Sequence, residues 1–306
     1  MANIRDIAKL TGYSVSTISR VINDYPYVNE EKRQKVLAVM KELQYTPNRT
    51  ARNLSYGKTK NIGVIVPFTD HPYFDQLVSG IIQAAFKEGY KVTLLPTNYD
   101  PDVELGYLDE FAAKGFDGLI ITSRANLLEK VLHYQQYGKI IFCEELPGSN
   151  VSSAFIDRKP SIKKALLFMK AQGVQRLGVT LGRSGKMSFN SQITIELCKE
   201  IFAFDDSLVF WDCVIAEDGL QAAEFFRGKV DGIFTNGDEI AAVIKKSYEK
   251  EASPLVVGRE NLLISQVMNF STIDHHLPAC GAAAFRLFYE NRQEQIRIPY
   301  TFIPRT

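Results

Sequence analysis

The chain has little cysteine, a single tryptophan and no long apolar run. Its four cysteines, Cys143, Cys198, Cys213 and Cys280, form no CxxC pair, and each sits in an apolar stretch. They read as buried free thiols in a reducing cytoplasm. No stretch is long enough to span a bilayer and no signal peptide opens the chain, so the expected location is cytoplasmic, without a membrane partner. Net charge is nearly absent, at +1 overall. Catalytic signatures are missing too. No Ser-His-Asp or Cys-His set is recognisable by spacing. Gly182-Arg183-Ser184-Gly185-Lys186-Met187 lacks the first glycine of a phosphate loop and the Ser/Thr after its lysine. Asp274-His275-His276 suggests a metal site, but adjacent histidines on a turn point apart, and a surface turn is the expected reading. Enzyme activity would rest on a generic α/β core alone, so no enzyme, metal or cofactor is expected.

What charge there is lies unevenly. Residues 1–60 hold eleven Lys and Arg against five Asp and Glu, a net +6, which leaves −5 for the rest of the chain. A basic head on an acidic body suits a polyanion partner for the head. A merely solvated helical surface would carry the same charges. At 306 residues, a small domain followed by a larger one is a natural division.

Ile4, Ile7 and Leu10, with Ala8, recur at helical spacing behind Asn3, which can cap the first turn. Gly12 and Tyr13 make a sharp turn. Ser14 can cap a second helix whose Ile18, Val21 and Ile22 face inward while Val15, Ser16, Thr17 and Arg20 stay outward. Two short helices around a glycine turn, the second beginning with small polar residues, describe a helix-turn-helix, although such pairs also occur as plain structure. The small side chains let the helix start approach base edges, and Arg20 reaches a guanine or a phosphate. A third helix follows, capped by Asn29, with Glu30 and Glu31 in its first turn and Val36, Leu37, Met40 and Leu43 on one face.

From Ile4-Arg5-Asp6-Ile7-Ala8, through Val15-Ser16-Thr17-Ile18-Ser19-Arg20-Val21-Ile22-Asn23, to Tyr45-Thr46-Pro47-Asn48 and Ala51-Arg52-Asn53-Leu54, the chain resembles the headpiece of the lactose-repressor (LacI/GalR) family. The resemblance extends over nearly the whole chain and is most specific here. It implies that Val15, Ser16 and Arg20 read the major groove, with Thr17 and Ser19 aiding position. It also implies that residues 48–56 form a hinge helix folding on operator DNA, where Asn48 and Ala51 contact the duplex and Leu54 wedges into a central base step. Without the resemblance the same polar segment would read as an ordinary linker. The expected domains are therefore a headpiece with hinge over 1–57 and an effector-binding and dimerisation core over 58–306.

Beyond Gly57-Lys58-Thr59-Lys60 the pattern becomes strand–helix alternation. Apolar strands are expected near 62–67, 92–95, 117–121 and 139–143, with helices over 73–88 and 103–114. The series restarts after Asp157, with strands near 176–181, 232–235 and 255–258. Apolar runs separated by helices indicate parallel sheets covered on both faces. The fold class is thus α/β, an all-α headpiece followed by a core of two similar subdomains, and that core resembles the periplasmic-binding-protein fold that forms the family's regulatory part.

Ligands of such sheets meet the loops at the carboxyl ends of strands. The resemblance places Thr69, Tyr73, Phe74, Asp157, Asp238 and Glu260 around an effector, with the two rings packed against it. Tyr73 and Phe74 could equally staple the helix they begin. Where relatives carry an effector-gripping arginine, this chain has Ser191-Gln192-Ile193-Thr194-Ile195-Glu196-Leu197, with none. Arg183 and Lys186 are candidate replacements. The usual Asn-Asp pair becomes Gly237-Asp238, with Asn236 one place early, and Glu260 stands behind Arg259. The expected function is a transcription regulator, a repressor that binds palindromic operator DNA as a homodimer under the control of a small molecule, a sugar. With no leucine-heptad tail before Thr306, a dimer is expected over a tetramer. Control by a protein corepressor is one alternative, and an α/β sugar-binding protein or enzyme is another, which the basic head and the Leu54 wedge argue against.

Overall fold

Asn3 opens α1 (Ile4–Thr11) by a reciprocal cap: its side chain accepts from the Arg5 and Asp6 amides, and Asp6 accepts from the Asn3 amide at 2.9 Å. Gly12, at φ +74°, ends the helix in the left-handed region, and its N–H donates to the Ala8 carbonyl. Ser14 then starts α2 (Val15–Ile22) by accepting from the Thr17 amide, and Asn29 starts α3 (Glu30–Glu42) by accepting from that of Glu31. Ile7, Ile18, Val21 and Val36 form the buried centre of this bundle, ringed by Tyr13, Ile22, Val39, Met40 and Leu43. Each such side chain stabilises the bundle by roughly 1.5–3 kcal/mol, so few can be lost from so small a domain. Two expectations fail here. Leu10 and Leu37 are exposed, because Thr11 and Val39 occupy the inward angles instead. Thr11 is buried at no polar penalty, since its hydroxyl donates to the Ile7 carbonyl at 2.7 Å.

The computed structural model describes residues 2–47, 57–182, 184, 188–249 and 252–305. Its two compact units are Met1–Lys60 and Asn61–Thr306. The expected hinge, with Asn48, Ala51 and Leu54, lies outside the described residues, as do Arg183 and Lys186.

The second unit begins with β1 (Asn61–Val66), α4 (Pro72–Lys87), β2 (Lys91–Pro96), α5 (Pro101–Ala112), β3 (Gly118–Ile121), α6 (Leu128–Leu132), β4 (Lys139–Phe142) and β5 (Ser152–Ile156). It continues with α7 (Arg158–Ala171), β6 (Leu177–Thr180), α8 (Phe189–Ile201), β7 (Val209–Phe210), α9 (Asp218–Phe226), β8 (Gly232–Phe234), α10 (Asp238–Ser247), β9 (Leu255–Val257), α11 (Leu263–Val267) and β10 (Thr272–Asp274). Last come α12 (Leu277–Tyr289), β11 (Gln295–Ile298) and β12 (Thr301–Ile303). One parallel sheet runs β11-β5-β4-β3-β1-β2 and another β7-β6-β8-β9, while β10 and β12 pair antiparallel.

The two halves are not two consecutive stretches of chain. After building the second sheet the chain returns through α12 and β11 to the edge of the first, then leaves again for β12. Crossings therefore fall at Asp157–Arg158, at His275–His276 and between β11 and β12. α12 packs tightly on α4 because both helices use glycine at the contact: a Cβ on Gly80 would lie 2.0 Å from the Pro278 carbonyl oxygen, and one on Gly281 2.0 Å from that of Leu77. In the first half Ile62, Val64, Ile120, Ile141 and Phe285 fill the space between sheet and helices, and in the second Leu166, Val179, Leu197 and Phe234 do so. All four cysteines are free and buried.

Candidate DNA-reading helix and effector cleft

The start of α2 presents a compact polar surface. The Ser14 hydroxyl sits 2.8 Å from that of Ser16 and 2.9 Å from that of Thr17 while accepting the Thr17 amide. Val15, Ser16 and Arg20 are exposed, whereas Thr17 and Ser19 are half-buried. Asn23 donates to the Ser19 hydroxyl at 3.3 Å, which holds that side chain against its own helix. The Arg20 guanidinium stands 5.9 Å from the Tyr25 ring centroid, a contact that leaves its N–H groups free to turn outward. The nearby Asp24 carboxylate is occupied by Arg33, which also donates to the Tyr25 carbonyl at 2.9 Å. A serine-rich helix start with one long cation can approach a phosphate or a base edge. Tyr27, 89% exposed, escaped the sequence reading although its aromatic ring lies open on the same bundle.

The second unit holds a cleft of about 650 Å³ between its halves. Its walls are the loops after β1, β2, β3 and β4 on one side and after β6, β7, β8 and β9 on the other, the carboxyl ends of both sheets. Tyr73 and Phe74 line it, edge to face with centroids 5.0 Å apart, and Glu260 lines it as well. Thr69, Asp157 and Asp238 do not. Thr69 faces solvent, short of α4. Asp157 turns away to pair with Arg297 on β11 at 3.0 Å, and Arg158 enters the cleft in its place. Asp238 is fully buried under the loop after β9, accepting from the Thr272 hydroxyl at 2.6 Å and the Leu262 amide at 2.7 Å. Burial pushes its carboxyl up to about 7, against those two hydrogen bonds. The residue that does face the cleft is Asn236, held by Thr180 and by the Cys213 carbonyl.

The sequence reading missed most of the cleft's charge. Arg124 donates to Glu144 at 2.9 Å, and burial raises the Glu144 carboxyl above its ordinary range. Arg158 places its guanidinium 4.9 Å from the Tyr73 ring centroid. Arg259 and Glu260 both line the cleft, though neighbours on extended chain point to opposite sides; Glu260, at φ +102°, breaks that alternation. Gln76 on α4 donates to the Glu260 carbonyl at 3.2 Å, so this bend is also a contact between the halves. The Arg259 guanidinium lies 4.3 Å from the Phe234 ring centroid, and burial lowers its pKa to about 9. His275, expected on a surface turn, is 1% exposed and lines the cleft. It contacts the Ser161 hydroxyl at 3.1 Å, and burial together with Arg158 and Arg259 depresses its protonation. His276 does point elsewhere, toward Thr301. Locally, Asp274-His275-His276 looks like any polar turn; only the long-range partner Ser161 distinguishes it.

A second hollow of about 920 Å³, with Phe68, Pro72, Val214, Ile215 and Met268 among its lining, adjoins the cleft. The cleft is the better ligand site, because polar groups converge there beneath two aromatic rings. Among the described residues no group of three or more His, Cys, Asp and Glu is arranged to hold a metal ion, and no helix is long and apolar enough to cross a membrane.

Residues 3–48 match the family described as bacterial regulatory proteins, lacI family, and residues 59–186 match the periplasmic binding proteins and sugar binding domain of LacI family. The chain is 43% identical to Catabolite control protein B of Bacillus subtilis (strain 168), over 99% of both chains. Its fold superposes on the lac repressor dimer bound to operator and the anti-inducer ONPF, with a TM-score of 0.82 over 99% of this chain and 98% of that one at 19% identity. It also superposes on the transcriptional regulator CelR in complex with cellobiose, with a TM-score of 0.69 over 100% of this chain and 99% of that one at 17% identity.

Proposed function

The chain belongs to the lacI family of bacterial regulatory proteins and is a DNA-binding transcription regulator, not an enzyme; from that premise we propose that it is a repressor that binds a palindromic operator as a homodimer. Each headpiece reads one half-site, with Val15, Ser16 and Arg20 in the major groove and Thr17 and Ser19 positioning the helix. Asn48 contacts the duplex, and Ala51 and Leu54 engage the minor groove at the centre of the site. The observation that carries this reading is the start of α2, where Ser16 and Arg20 are exposed and the fold depends on neither.

The dimer is supported by apolar side chains left open on the second unit: Phe86 is 81% exposed, with Ile82 one turn before it on α4, and Leu94 is exposed on the edge strand β2. A small hydroxylated molecule, a sugar in the first instance, is the proposed effector, bound between Tyr73, Phe74 and Glu260. Such a ligand shifts operator affinity only by its differential affinity for the two arrangements of the halves. The crossings at Asp157–Arg158 and His275–His276 are where that rearrangement would pivot.

Selection of bound sequences from a random DNA pool, with the full chain, tests the reading. An enriched palindrome-like site is the expected result. Enrichment of a single unrepeated half-site would refute the dimeric reader, and no enrichment with or without added sugars would refute the operator-binding role.

A further inference from the structure

The polar groups of the cleft fall into two sorts. Asn236 and the Arg124–Glu144 pair are engaged by neighbouring protein atoms, only the Arg124 Nε being left without a partner. Arg259 is not: it is only 5% exposed, yet its Nε and Nη2 have no hydrogen-bond partner, and it forms no ion pair among the described residues. Phe234 covers the face of its guanidinium, but the N–H groups lie in the guanidinium plane and a ring face cannot satisfy them. Burying a cation without acceptors is strongly unfavourable, so the acceptors have to come from a ligand or from ordered water. Arg158 is a second cation lining the cleft.

His275 adds a different requirement. Ser161 spends its one proton on the Arg158 carbonyl at 2.8 Å, so the contact to His275 is completed by the imidazole Nε2–H donating to the hydroxyl. Nδ1 is then a lone-pair acceptor, and it too is buried without a partner. A single ligand answers both groups if it carries two oxygens for the arginine fork and a hydroxyl to donate to Nδ1. Tyr73 and Phe74 supply flat apolar surfaces for the carbon skeleton between them.

We propose that the effector is a hydroxylated small molecule bearing an oxyanion, a carboxylate or a phosphate, which sits on Arg259 with Arg158 beside it while one of its hydroxyls donates to His275. Arg259 thereby takes over, from the loop after β9, the grip that the 191–197 segment lacks. This inference rests on the small-molecule reading of the cleft. The carboxylate and phosphate share the same fork chemistry, and the test separates them.

Titration calorimetry on the full chain, with a panel of hexoses, the matching hexose 6-phosphates and the matching hexuronates, decides the matter. The expected result is that one anionic series binds at least about tenfold more tightly than its neutral parents. Arg259→Met should abolish that advantage, and Arg158→Gln, at a less buried position, should reduce it; Trp211 fluorescence checks that each variant is folded. Equal binding of neutral and anionic members, or an advantage that survives both substitutions, overturns the inference. Binding by neutral hexoses alone also overturns it but leaves the small-molecule reading standing. Silence of the whole panel removes both.

Discussion

In the headpiece, the side chains proposed to meet DNA are separate from those that hold the fold. Ser16 and Arg20 are exposed, while Ile7, Ile18, Val21 and Val36 supply the core. In the cleft the two duties coincide. Arg259, Glu260 and His275 are all inside the protein, and Gln76 ties the bend at Glu260 to the opposite half. DNA is a large, charged, fully hydrated surface that a small exposed patch can reach. A small ligand must instead be surrounded, so its contacts have to be buried and drawn from many parts of the chain. Substitutions at the headpiece surface should therefore change binding alone, whereas changes in the cleft should alter stability as well.

The largest expected effect sharpens that contrast through pH. Among the described residues the headpiece buries no charged side chain, whereas the second unit buries Asp238. Its carboxyl is raised by burial from 3.8 to about 7, so the folded chain holds the proton more tightly than the unfolded chain. The stability it contributes is full below about pH 4 and is lost as pH rises through about 7, a fall of up to about 4 kcal/mol at 1.36 kcal/mol per unit. Glu144 and Glu260, also raised by burial, act in the same direction. His275, depressed by burial, acts oppositely as pH falls below its ordinary 6.5. Denaturant unfolding followed by Trp211, the chain's one tryptophan, reports on the second unit alone. The Asp238 contribution should fall from about pH 4 to pH 7 and level off above, and Asp238→Asn should flatten that slope. An unchanged slope in the variant would remove Asp238 as its source.

A smaller effect tests the headpiece from the other side. Ser14 caps α2 and gathers the Ser16 and Thr17 hydroxyls, so it is the one polar residue there that serves structure and surface together. Ser14→Ala should destabilise the headpiece by about 1 kcal/mol, measured by its own thermal transition, and leave the Trp211 transition unmoved. A shift in both transitions would mean that the units do not unfold separately.

The same contrast explains what the sequence made legible. Asn3, Ser14 and Asn29 announce their helices because capping is local chemistry, and β1, β3 and β4 announce themselves because strands buried on both faces must be apolar throughout. The return of α12 and β11 to the first sheet is invisible in periodicity, which orders elements along the chain and not in space. Leu10 and Leu37 misled because a helix two or three turns long admits more than one inward face. The cleft was the least legible part. Asp238 and Asp157 have the right chemistry, but Thr272 and Arg297, both far along the chain, draw them into structural roles. His275 and Arg259 gained theirs through Ser161 and Phe234, which are equally remote.

The claim that the headpiece reads DNA with residues its fold does not need is tested most directly at Arg20. Operator affinity of the full chain and of Arg20→Ala would be measured at one stated salt concentration, with thermal unfolding of both units recorded alongside. Loss of an arginine–base contact in each half-site predicts a fall in affinity of about 100-fold or more, with both unfolding transitions unchanged. Unchanged affinity would contradict the assignment of α2 as the reading helix, and a lowered headpiece transition would contradict the separation of reading from folding.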